Sequence, residues 1–130
     1  MSAPTITALY AALNAVLNIY LANRVSSVRG KTKVGLGTGG SPEVEVAVRM
    51  HGNNAEFVPL ALLLMLLAEL CGGASAPLHV YGGVLLLARV AHPLGLTRPA
   101  PNVFRWVGTA ATYVGIVAAS AWLLWLRTKH

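Results

Sequence analysis

The sequence predicts an all-α integral membrane protein, a four-helix bundle forming a single transmembrane domain over residues 1–130. Three observations predict it. Of the 130 residues, 55% are hydrophobic and only 11% charged, and the mean hydropathy of +0.62 is too apolar for a soluble domain of this size. The apolar residues gather into four segments, at about 5–23, 44–70, 77–96 and 103–126, each long enough to cross about 30 Å of hydrocarbon as a helix. The connections between them, the longest of about 20 residues, are polar or rich in Gly and Pro, and the chain has no room for a second domain.

The first segment carries no charge from Thr5 to Asn23, and Asn14 and Asn18 share one face at i, i+4, a spacing suited to interhelical hydrogen bonds. The stretch Arg29 to Pro42 is basic and glycine-rich. Its Gly30-Lys31-Thr32 closes no phosphate-binding G-x-x-x-x-G run, and it is expected to be a flexible loop. Ser41, Pro42 and Glu43 then supply an N-cap, a proline at the first helical position and an acid in the first turn of the second helix. Pro59 is expected to kink that helix, and Glu69, about 200° round from Arg49, reads as an interfacial residue. The third helix is expected to begin after Pro77, with Pro93 and Gly95 loosening its far end; Asn102 is a credible N-cap for the fourth. Trp122 and Trp125 suit an interfacial aromatic belt.

A formal charge of +6 and a pI near 10.1 do not indicate nucleic acid, because the cations follow membrane topology. Arg24, Arg29, Lys31 and Lys33 follow the first span, and Arg98 lies between the third and fourth with Arg105 just beyond, whereas the turn from Cys71 to Pro77 holds no Lys or Arg. The positive-inside rule then places both basic connections in the cytoplasm and both termini outside, with Arg127 and Lys129 opposing. Met1 to Thr5 lacks the basic start of a cleavable signal, so the first helix is expected to be retained. The single Cys71 offers no internal disulfide, and no metal site is expected.

The most informative run is Arg49-Met-His-Gly-Asn53-Asn-Ala-Glu56-Phe-Val-Pro59. At 100° per residue, Arg49, Asn53 and Glu56 fall within about 60° of one another, so one face at the mouth of a membrane helix carries a cation, an amide and an anion. Ionisable groups at membrane depth cost several kcal/mol unless paired or facing a wet cavity, and they mark functional paths or pockets. Arg89 and His92 are i, i+3 neighbours, and Arg105 sits in the first turn of the fourth helix, unfavourably for its dipole. These clusters, with Arg24 and Arg29, converge on the basic end and describe a cationic pocket holding one carboxylate. A ligand suited to it carries more than one anionic group and at least one ammonium, as a glutathione-like thiol peptide does. Structural alternatives stand beside this: Arg89 as a partner of Glu56 across the bundle, His92 bonded to a backbone carbonyl, and Arg105 snorkelling to lipid phosphate.

The run from Arg49 to Pro59 resembles the second-helix signature of the MAPEG family (membrane-associated proteins in eicosanoid and glutathione metabolism). Arg89-Val-Ala-His92 resembles that family's third helix, and Arg105 matches the position of the catalytic arginine in its prostaglandin E synthase branch. The resemblance covers essentially the whole chain and suggests a short bacterial-type member of an inner membrane. It implies a homotrimer of four-helix subunits with glutathione, the co-substrate, bound between neighbours near the cytoplasmic face. By position it implies that Arg49, Asn53, Glu56, Arg89 and His92 bind glutathione, that Arg24 or Arg29 contributes from the first helix, and that Arg105 stabilises the thiolate. Trp106 stands where the prostaglandin branch has Ser, and Leu96 where it has a Tyr, which favours conjugation or peroxide reduction of a lipophilic substrate over eicosanoid synthesis. The other classes considered are a small multidrug-type transporter and a non-catalytic membrane scaffold. The first helix lacks the embedded acid that such a transporter needs, and a cationic pocket would repel cationic drugs.

Overall fold

The computed structural model describes residues 3–129 as four helices: α1 (Thr5–Thr32), α2 (Pro42–Leu70), α3 (Ser75–Leu96) and α4 (Val103–Arg127). They run up and down, α1 packing on α2 and α3, and α4 on α3 and α2. By length and composition, α1, α2 and α4 are able to cross a membrane. α3 is 22 residues long but carries His79, Arg89 and His92, and it buries the last two within the bundle, where they need not meet lipid. The core is narrow. Met65, Ala68, Leu78 and Leu126 are buried together at one end, while Val16, Ile19, Leu87, Val114 and Val117 point outward, as expected of a chain whose solvent is hydrocarbon.

The capping residues behave as the sequence predicts. Ser41 Oγ accepts from the Val44 amide at 3.4 Å, and Asn102 Oδ1 from the Arg105 amide at 3.0 Å. Asn102 also donates through Nδ2 to the carbonyl of Gly95 at 2.7 Å, which ties the start of α4 to the end of α3. α2 continues as helix through Pro59 and α3 through Pro93, while Pro77 falls inside the first turn of α3, where a missing N–H costs nothing.

One expectation is corrected and another extended. The basic stretch from Arg24 to Thr32 is helix and not loop, so the loop shrinks to residues 33–41. Gly30 alone does not break a helix otherwise made of compatible residues, and α1 ends only where Lys33 turns left-handed (φ 55°) and returns its N–H to the Arg29 carbonyl. At 1.5 Å per residue, the 28 residues of α1 span about 42 Å, so its last turns project some 12 Å past a 30 Å hydrocarbon layer. Glu69 is not merely interfacial: its carboxylate accepts from the amides of Ile6 at 3.0 Å and Thr7 at 2.7 Å. The first residues of α1 have no side-chain cap of their own, and the end of α2 supplies one.

Candidate functional site

The buried stripe of α2 runs through Val44, Ala47, Met50, Asn54, Val58 and Ala61 at helical spacing, and it turns the neighbouring Arg49–Asn53–Glu56 face to the flank of the bundle. Arg49 and Glu56 are exposed there, and Asn53 is half-buried between them. Arg89 reaches Asn53 from α3. Its side chain is 2% exposed; Nη1 donates to Asn53 Oδ1 at 2.7 Å, Nη2 donates to the Gly108 carbonyl at 2.9 Å, and Nε is left without a protein partner. The structural alternative for Arg89 therefore takes a different form: its partner on α2 is Asn53 and not Glu56. A guanidinium shared by an amide and a carbonyl joins α2, α3 and α4 at one level.

His92 lies one turn beyond Arg89 and is buried. Its surroundings are set by Gly108, where an added Cβ would come within 2.8 Å of the Ala88 carbonyl and 2.9 Å of His92. A second close crossing occurs at Gly95, packed against the backbone of Arg105 and the side chain of Asn102. These two glycines let α4 lie tightly on α3 and fix the level of Arg105, whose side chain is exposed. Sequence reasoning missed Gly108, although the small residues Gly108 and Thr112 at i, i+4 carry the signal of a close membrane-helix contact; Thr112 Oγ1 donates to the same Gly108 carbonyl at 2.8 Å. It also missed Asn54, whose Nδ2 donates to Asn18 Oδ1 at 3.1 Å and joins α1 to α2. That bond realises the interhelical role expected of Asn18. Asn14 instead bonds back to the Tyr10 carbonyl.

The two first-helix arginines separate. Arg29 Nη1 donates to the Val34 carbonyl at 3.3 Å and closes the end of α1, whereas Arg24 is exposed and lines an open recess of about 680 Å³ between α1, the start of α2 and the end of α3. Within one subunit, then, Asn53 and Arg89 are joined with His92 close below, while Arg49, Glu56, Arg24 and Arg105 present charge outward. Exposed charges of both signs on the flank of a membrane helix are costly against lipid.

A profile of the MAPEG family matches residues 7–125, nearly the whole four-helix unit and all of the α2 signature. The chain belongs to the MAPEG family. It is 36% identical over 124 residues to the inner membrane protein YecN of Escherichia coli strain K12, with 92% of each chain covered, and it matches to the same extent the protein of that name from Escherichia coli O6:H1 strain CFT073. For this MAPEG protein, the match takes in most of each of the four helices, including the polar residues of α2 and α3.

Proposed function

We propose that this chain is the subunit of a glutathione-dependent transferase or peroxidase of an inner membrane, acting on a lipophilic electrophile that arrives from the bilayer. The observation that carries the reading is the arrangement of α2: Asn53 is locked to buried Arg89, while Arg49 and Glu56 on the same face remain exposed. The inward bond sets the rotation of the helix, and the outward cation and anion are left to meet a ligand's carboxylate and ammonium. Arg49 offers a carboxylate two parallel charge-assisted hydrogen bonds, and Glu56 accepts from an ammonium.

Because these groups face out of one subunit, the site is completed by a neighbour, and a homotrimer with glutathione between subunits is the assembly this reading requires. Arg105, exposed at the start of α4, supplies the guanidinium that favours thiolate over thiol. Glutathione's thiol starts near the ~8.5 of free cysteine, and each unit of depression corresponds to about 1.4 kcal/mol in favour of the thiolate. The thiolate sulfur then forms a bond to the electrophilic carbon as the leaving group departs with its electron pair. With a peroxide, the thiolate attacks one oxygen, the O–O bond breaks and the other oxygen leaves as an alcohol or water after taking up a proton; a second glutathione then condenses with the glutathione sulfenic acid to give the disulfide and water. The basic end, with Arg24, Arg29, Lys31, Lys33 and Arg98, is assigned to the cytoplasm, where the co-substrate is supplied.

The test is a near-ultraviolet difference spectrum of detergent-purified protein titrated with glutathione. A saturable thiolate absorbance in wild type that is lost in Arg105→Ala, with binding retained by calorimetry, supports the reading. Absence of glutathione binding to wild type overturns it.

A further inference from the structure

Two adjoining recesses lie at the basic end, on the side of α1 and α3, and only Met50 of the α2 signature reaches the smaller one. The larger, about 680 Å³, has mixed walls, where Arg24, Ser27 and Lys31 of α1 face Glu43 of α2 and Thr97 beyond α3 across an apolar lining that includes Val28 and Val46. The smaller, about 120 Å³, shares Tyr20, Arg24 and Thr97 with it and continues between α1 and α3 along Leu17, Val90 and Leu94. One continuous cleft thus changes from cationic and hydroxylated to apolar along the membrane normal. The depth agrees with that change. Arg24 is nineteen residues past Thr5, about 29 Å up the helix and hence at the edge of a 30 Å hydrocarbon layer whose other edge lies at Thr5. Tyr20, one turn lower, has the amphipathic ring that favours this boundary, and Lys31 stands beyond it in the headgroup region.

We propose that this cleft binds one anionic glycerophospholipid from the leaflet at the basic end. Its phosphate is held by Arg24 and Lys31, and one acyl chain lies against Leu17, Val90 and Leu94. Two cations against the single carboxylate of Glu43 leave the recess net positive, and basic recesses between membrane helices suit anionic headgroups. Glu43, Ser27 and Thr97 offer acceptors to hydroxyl groups, which favours a hydroxylated headgroup such as glycerol. A water-soluble anion would leave the apolar continuation unused. The volume lies within the usual range of about 300–1,000 Å³ for ligand cavities. The helical extension of α1 thereby acquires a purpose, since a flexible loop would not hold Arg24 and Lys31 two turns apart on one wall.

The experiment is native mass spectrometry of the purified protein from a neutral detergent, offered phosphatidylglycerol or phosphatidylcholine with the same acyl chains. Wild type is expected to retain one phosphatidylglycerol per subunit, with a preference of about tenfold over phosphatidylcholine. Arg24→Gln with Lys31→Gln should reduce retention to the phosphatidylcholine level; both residues are exposed, so the fold should tolerate the change. Leu94→Trp, which fills the apolar slot, should lower retention of both lipids. Arg127→Gln with Lys129→Gln, at the opposite end, should change nothing. The proposal is overturned if wild type shows no preference, as when another copy of the chain covers the cleft. Equal loss in the opposite-end variant also overturns it, since attraction to any basic surface would then suffice. So does displacement by inorganic phosphate with no effect of Leu94→Trp, which would mean a soluble anion site.

Discussion

Arg89 donates a 2.7 Å hydrogen bond to Asn53, joining the buried cation of α3 to the signature face of α2. The same guanidinium holds the Gly108 carbonyl of α4, so one side chain sets the relative rotation of three helices. Asn53→Leu leaves Nη1 buried and unsatisfied, and should destabilise the protein by about 2–3 kcal/mol, as hydrogen bonds to charged groups do. Thermal unfolding in detergent reads this. Replacing both partners, Asn53→Leu with Arg89→Met, should recover much of that stability while leaving glutathione binding lost, because a buried polar pair replaced by apolar side chains can be nearly neutral. A double variant as unstable as Asn53→Leu alone would contradict this account.

Arg49 and Glu56 should separate binding from folding. Both are exposed, so Arg49→Ala and Glu56→Gln are expected to leave the unfolding temperature of the subunit close to that of wild type. On the proposed function each removes a charge-assisted contact to the ligand, and calorimetric affinity for glutathione should fall on the order of 10- to 100-fold. A large stability loss with unchanged affinity would assign these residues to packing.

Glu69 should act as a cap supplied across the bundle. It serves the amides of Ile6 and Thr7, which α1 leaves without a cap of its own. Glu69→Ala is expected to cost about 1–2 kcal/mol. Hydrogen exchange should quicken at the amides of Ile6 and Thr7 first, while amides near Arg89 keep their protection. Uniform quickening throughout would argue against a local cap.

Glycines give the sharpest contrast. A Cβ at Gly108 would sit 2.8 Å from the Ala88 carbonyl, which is backbone and cannot swing away. Gly108→Ala should therefore cost about 1–3 kcal/mol and, by lifting the start of α4, weaken the thiolate signal that the proposed function assigns to Arg105. At Gly83 the nearest atom is the Tyr10 hydroxyl at 3.9 Å, and Gly83→Ala should be neutral or stabilising by up to about 1 kcal/mol. Equal effects at the two sites would show that the α3–α4 contact is looser than these distances.

What the sequence determined by itself is local. Four apolar segments, the caps at Ser41 and Asn102, and the grouping of Arg49, Asn53 and Glu56 all follow from periodicity and chain-neighbour hydrogen bonding, which act within one helix. The α2 signature was equally legible, since it lies on consecutive turns. The extent of α1 was misjudged because a basic stretch with one glycine reads as loop by composition, while helix propagation tolerates it until Lys33 turns left-handed. Only the tertiary structure decided that Arg89 takes Asn53 and the Gly108 carbonyl in place of Glu56, that Glu69 caps α1, and that Arg24 faces a cleft while Arg29 closes a helix end. Each of those choices depends on the rotation and depth of one helix against another. Side-chain packing across the bundle sets both, and spacing along a single helix does not record them.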